Sequence, residues 1–162
     1  MAKNVLTNLM VFSLLAPVAV AASSASKILD VGGVSSAGGN GTPGEGYGIL
    51  LHAGTAGATL DGSNKVLFTL QESDTTADAA FTDVASTDYK YGIAAGAGTA
   101  NTLDANSKAT NSHRWEYIGS KRYIRLKYTV TGTVSIPLSI QGLLGTLRVN
   151  PASTPAVGIT AT

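Results

Sequence analysis

Apolar and polar residues alternate with a period of two along much of this chain, and helical periodicity is weak throughout. Residues 65–71, KVLFTLQ, place Val66, Phe68 and Leu70 on one face. Residues 121–131, KRYIRLKYTVT, send Ile124, Leu126, Tyr128 and Val130 one way and Arg125, Lys127, Thr129 and Thr131 the other. That is a strand with one buried and one wet side. Just before it, HRWEYI puts Trp115 and Tyr117 on a common face. Gly119-Ser120 between the two runs suits a two-residue hairpin turn, so the pattern predicts a hairpin with Trp115 inside it.

Further strands are expected at 26–31, 47–53, 134–140 and 143–149, with a short one at 81–85. Between them lie two Gly-rich stretches, 32–46 and 94–112, long enough to be functional or held by a partner. The segment 151–162 has two prolines and no charge and reads as an extended arm. Eight to ten short strands separated by turn signals predict an all-β chain. The long connections favour crossovers between two sheets, so the expected fold is a jelly-roll-like antiparallel β-sandwich. Its 162 residues form one domain, 1–162, with an N-terminal strand or arm at 1–22 and a C-terminal arm at 151–162.

The stretch LMVFSLLAPVAVAASSA at 9–25 can be read in two ways. Lys3, the apolar run and Ala19-Val20-Ala21 are the parts of a secretory signal peptide, with cleavage before Ala22. The run is too short for a spanning helix, and Pro17 would break one. VAVAASSA is also strand-like, and a run this apolar does not stay wet. The expectation adopted is retention: residues 4–22 stay on the chain and pack, with Pro17 at a bend or a sheet edge.

Composition narrows the chemistry. Charged residues make up 13% of the chain, about half the usual share, and the surface must be covered by Gly, Ser, Thr and Ala. There is no Cys to form disulfides or thiolate metal sites. A net charge of +1 offers no bulk attraction to nucleic acid. The charges are segregated. Glu72, Asp74, Asp78, Asp83 and Asp88 have no base among them, while Lys108, Arg114, Lys121, Arg122, Arg125 and Lys127 have only Glu116. These segments either neutralise each other within one molecule or form complementary patches between subunits.

No catalytic constellation emerges. His52 lies in an apolar strand, His113 has no acid near it in sequence, and two distant histidines do not make a zinc site. There is no G-x-S-x-G elbow, and GAGTA at 96–100 lacks the ending of a phosphate loop. Asp61-Gly-Ser-Asn64 and Glu72-Ser-Asp74 cluster oxygen groups without the spacing of a calcium loop, and read as turns. The stretch His113–Tyr128 mixes aromatic and basic residues. Its plain reading is a core strand pair with a basic outer face, rather than a base-stacking surface of Trp115, Tyr117 and Tyr123. The expected catalytic, cofactor and metal residues are therefore none.

The order of segments carries one further reading. An Ala-rich strand leads into SASKILDVGG at 24–33, then a Gly-rich loop, then GYGILLHAG at 46–54. KVLFTLQESDTTADAAFTDVAS follows at 65–86, then YIGSKRYIRLKYTVTGT at 117–133 and GLLG at 142–145. Over residues 11–149 this resembles the jelly-roll cement, or decoration, proteins on the heads of tailed bacteriophages. The first ten residues, the insert 94–112 and the segment after Asn150 fall outside the pattern. The resemblance implies a structural virion protein without catalysis. It would sit on the head exterior after assembly in the host cytoplasm and brace the major capsid protein as a homodimer or homotrimer. It would have no cofactor, no direct nucleic-acid contact and no membrane contact. Two other classes stay open: an exported β-sandwich adhesin or pilus-like subunit, and a carbohydrate- or ligand-binding module using Trp115 and the Gly-rich loops.

Overall fold

The computed structural model describes residues 9–31, 45–94 and 100–146. They form eleven strands: β1 Leu9–Val20, β2 Ser24–Ala25, β3 Leu29–Asp30, β4 Glu45–Ala53, β5 Lys65–Ser73, β6 Thr82–Asp83, β7 Tyr89–Tyr91, β8 Thr102–Leu103, β9 Ser112–Tyr117, β10 Tyr123–Thr131 and β11 Ile136–Thr146. All pairings are antiparallel. One sheet runs β1-β11-β4-β9-β7. The other runs β2-β10-β5-β6, with β3 also on β10 and β8 also on β5. The chain is an all-β sandwich of two antiparallel sheets. It changes sheet after β1, β3, β4, β6, β7, β8, β9 and β10.

The alternating pattern sets the inner faces. β5 and β10 pair along their full length, from Lys65 opposite Thr131 to Ser73 opposite Tyr123. Val66, Phe68, Leu70, Ile124, Leu126 and Tyr128 are buried between the sheets, as the periodicity predicts. From the other sheet, Ile49, Leu51, Trp115, Ile136, Leu138 and Ile140 meet them, each at most 1% exposed. Burying large apolar side chains on facing sheets is the main stabilising term of such a fold.

The hairpin joining 113–118 to 121–131 does not form. β9 pairs with β4 and β7, whereas β10 pairs with β5, β2 and β3, so residues 118–122 are a crossover between the sheets. Five residues can cross the ~10 Å between packed sheets, whereas a two-residue turn would keep both strands in one. Arg122 leaves the strand to pair with Asp30 at 3.0 Å, and its carbonyl accepts the Val31 N–H at 2.9 Å. Trp115 is on the inner face as predicted, but it meets β5 across the sandwich rather than β10 within a sheet.

Other boundaries also move. The expected strands 134–140 and 143–149 are one strand, Ile136–Thr146, and residues 147–149 lie outside the described residues. Gly142 does not interrupt it: a Cβ there would stand 2.8 Å from Leu29 Cδ1, so the missing side chain makes room for Leu29 from the opposite sheet. The strand 26–31 is two short pieces, β2 and β3, and 81–85 is reduced to Thr82–Asp83. The stretch 94–112 is not a patternless loop. Its described part holds β8, with Leu103 and Ala109 buried, and Asn106 Oδ1 accepts the Leu60 N–H at 3.0 Å. Most of the Gly-rich stretch 32–46 lies outside the described residues, as do residues 1–8 and the expected arm 151–162.

Candidate functional site: the outer faces and edges of the sandwich

The residues with chemical potential are dispersed. Leu51 faces His113 and His52 faces Ser112 across β4 and β9, so the two histidines lie on neighbouring strands but on opposite faces of the sheet. His52 Nδ1 lies 2.7 Å from Ser112 Oγ, and His113 Nε2 lies 2.9 Å from the Lys108 carbonyl oxygen. Asp61 caps its own turn, accepting the N–H groups of Ser63 and Asn64 at 2.7 and 2.8 Å. Those two backbone hydrogen bonds, Asn64 first, hold its carboxyl below the ordinary carboxylate range. Glu72 and Asp74 diverge. Glu72 turns inward to Tyr117, and Asp74 pairs outward with Lys121 at 2.5 Å. Among the described residues no group of three His, Asp or Glu side chains is placed to hold a metal ion.

The outer face of the β10-β5 sheet brings part of the segregated charge together. Arg125 is drawn over Gln71, donating from Nε to Gln71 Oε1 at 2.9 Å, and pairs with Asp78. Gln71 in turn donates to Asp83 Oδ1 at 2.8 Å, and the guanidinium stacks over Phe81, 4.2 Å from the ring centroid. Lys121 pairs with Asp74. The acidic segment after β5 therefore folds back onto the basic strand β10 of the same molecule. The hydrogen bond from Arg125 and its charge hold the Asp78 carboxyl below its ordinary range. Asp74 and Asp78 are thus paired within the molecule, while Lys127 on the same face has no ion pair among the described residues.

The two sheets are tied where the chain crosses between them. Tyr117 donates from its hydroxyl to Glu72 Oε2 at 2.5 Å, from one sheet to the other, and accepts the Lys121 N–H at 2.8 Å. Burial raises the Tyr117 phenol well above the ordinary value of 10, and the bond to Glu72 adds to the shift. Beside it, Asn101 is a second tie. Its Oδ1 accepts from Trp115 Nε1 at 3.2 Å and from the Ile93 N–H at 3.1 Å, and its Nδ2 donates to the Tyr89 hydroxyl at 2.9 Å. Nothing in the sequence singles out Asn101 or Gln71. Their roles depend on side chains that are distant along the chain.

Trp115 is 1% exposed and Tyr117 3%, so neither ring can stack on a base or a sugar. That removes the basis for a binding module built on Trp115 and for base stacking along 113–128. Tyr123 is half-buried, and the Arg122 guanidinium sits 5.0 Å from the centroid of its ring.

The N-terminal strand is part of the sandwich. β1 pairs with β11 from Leu9 opposite Gly145 to Val20 opposite Ile136, with register shifts at Ser13/Leu15 and Leu15/Val18. Pro17 falls in the second irregularity, on an edge strand, where its missing N–H costs no ladder bond. At the first shift, the Leu14 carbonyl accepts the Lys27 N–H at 2.9 Å, and the Leu14 side chain is buried. The expected pairing thus holds over Leu9–Val20, and residues 4–8 lie outside the described residues. Val11, Phe12 and Val18 stay exposed along this edge, at 54%, 37% and 46%. From residue 4 to residue 26 the sequence carries no charge.

No family model and no curated protein matches the chain. Among the described residues no helix is long and apolar enough to cross a membrane.

Proposed function

We propose that this chain is a non-catalytic structural subunit, a cement protein that binds the outside of a phage head and braces its major capsid protein. The observation that carries the reading is β1. A segment with the composition of a disposable leader is an edge strand of the sandwich, uncharged and with Val11, Phe12 and Val18 in water. Edge strands are normally blunted by charge, Pro, bulges or a covering element; β1 has Pro17 and two register shifts but no charge, so its apolar side chains remain open to a neighbour. An edge of that kind suits a protein that works in contact with neighbours. The finer reading of the fold, a jelly roll, is supported by the alternation of the chain between sheets and by the neighbour orders β1-β11-β4-β9 and β2/β3-β10-β5-β6. It agrees with the segment order that resembles the phage proteins.

The mechanism is multivalent bridging. One contact of a few hundred Å² is weak, but a dimer or trimer touching several capsid subunits makes its later contacts at high effective concentration. The test is add-back to heads of the cognate phage depleted of this chain. Heads are heated or moved to low salt with the full chain, with a chain lacking residues 1–10 and 151–162, or with neither. The full chain should protect them and the truncated chain should not, while it still folds around the same core. Equal fragility in all three refutes the cementing role.

A further inference from the structure

Ser23–Ile28 form the edge of the second sheet, and beside them runs an open groove of about 680 Å³. Its floor is the outer side of β10, with Arg125 and Lys127, and its far side is the segment after β5, with Thr76 and Asp78. The charges in it are unequal. Asp78 is claimed by Arg125, whose side chain is 11% exposed. Lys27 and Lys127 have no ion pair among the described residues, and both are exposed. The groove therefore presents two ammonium groups outside any ion pair, of which Lys127 also acts at longer range on Asp78. The hydroxyls of Ser24 and Thr76, also on its lining, have no side-chain hydrogen bond among the described residues.

We propose that this groove binds an extended acidic peptide segment of a partner protein, lying over the outer face of β10 with carboxylates on Lys27 and Lys127. The shape favours a chain over a single ion: the space is of the size that takes a multi-atom ligand, and a lone phosphate would leave most of it to water. In an extended chain every second side chain faces the same way, about 7 Å apart, so alternating acids would all point to the lysine side. A polynucleotide fits less well, because Asp78 lies in the groove and the chain carries a net charge of only +1.

This deepens the reading above by naming the contact chemistry, and its test needs no phage head, so either can fail alone. The purified full chain is titrated by NMR with a capped Thr-Glu-Thr-Glu-Thr-Glu peptide, its Gln counterpart, inorganic phosphate and oligothymidylate. The Glu peptide should shift resonances of Ser23–Ile28, Arg125 and Lys127. The K27Q/K127Q double variant should bind about tenfold more weakly, as should the Gln peptide. Raising salt from ~0.05 to ~0.3 M should weaken binding severalfold. Both lysines are exposed, so the double variant should keep its thermal melt. Equal affinity in the double variant, no saturation at millimolar peptide, or tighter binding of phosphate or oligothymidylate than of the Glu peptide would each overturn the proposal.

Discussion

Replacing Trp115 with Ala tests the packing argument at its centre. This is the only tryptophan in the chain, it is 1% exposed, and its ring sits 6.1 Å from that of Phe68 across the sandwich, tilted by 44°. A buried Trp removes roughly 200 Å² from water, which at about 25 cal/mol per Å² is worth about 5 kcal/mol. Measured truncations of buried aromatics cluster at about 3–5 kcal/mol, since the site relaxes in part and keeps part of the cavity. The indole bond to Asn101 accounts for about 1 kcal/mol of that, and Asn101 Oδ1 keeps the Ile93 N–H when the indole is gone, so it is not orphaned. The assay is equilibrium urea unfolding followed by far-ultraviolet circular dichroism, which does not need the tryptophan. With a slope of about 2 kcal/mol per molar, the midpoint should fall by roughly 1.5–2.5 M. Trp115→Phe should recover most of that. A midpoint unchanged in Trp115→Ala would refute the core assignment, and tryptophan emission at the wavelength of free indole in the folded protein would refute it independently.

Tyr117→Phe removes a bridge that serves Glu72 and the Lys121 N–H together, and should cost about 1–3 kcal/mol by thermal or urea melt. Because folding raises the Tyr117 pKa, its contribution is fully present below pH 10 and is lost as pH rises beyond that. The wild-type chain should therefore lose stability in alkali more steeply than Tyr117→Phe, and parallel alkaline profiles would contradict the assignment. Gly92 has φ +106°, and a Cβ there would stand 2.2 Å from Asn101 Oδ1. Gly92→Ala should cost about 1–3 kcal/mol, and a neutral melt would show that the Asn101 tie is not rigid. A chain beginning at Ala22 loses β1, with the buried Leu14 and Val20, and bares the edge of β11. It should melt lower or aggregate, and size-exclusion chromatography of a soluble, equally stable monomer would show β1 to be dispensable.

Arg125 and Tyr117 stabilise the fold in different ways. Arg125 is held on an outer face by Asp78, Gln71 and the Phe81 ring, where water screens the ion pair and stacking supplies much of the benefit. Tyr117 and Glu72 meet at the end of the sandwich, where a broken bond leaves polar groups half out of water. The crossover 118–122 depends on the second kind of contact. The Tyr117 hydroxyl is bonded to the Lys121 N–H, and Ile118 N–H donates to the Asp88 carbonyl at 2.9 Å.

Local pattern determined the faces of the strands. Val66, Phe68 and Leu70 on β5, and Ile124, Leu126 and Tyr128 on β10, point inward because a period of two leaves only two faces and only one of them is apolar. The same logic placed Trp115 inside, and the missing N–H of Pro17 placed it at a bend or an edge. Which strand lies beside which was decided by tertiary structure. HRWEYI and KRYIRLKYTVT have identical requirements, one dry side and one wet, whether they share a sheet or face each other across the core. The alternation is blind to the difference. Only the fit of Trp115 against Phe68, and of Leu29 over Gly142, selects the second arrangement. The charge segments show the same division. Their segregation is written in the sequence, but that Arg125 meets Asp78 and Lys121 meets Asp74 follows from the turn after β5, which brings the acids back over β10. Asn101 was illegible for the same reason: a polar residue in a Gly-rich stretch becomes a tie only when Trp115, Tyr89 and Ile93 arrive around it.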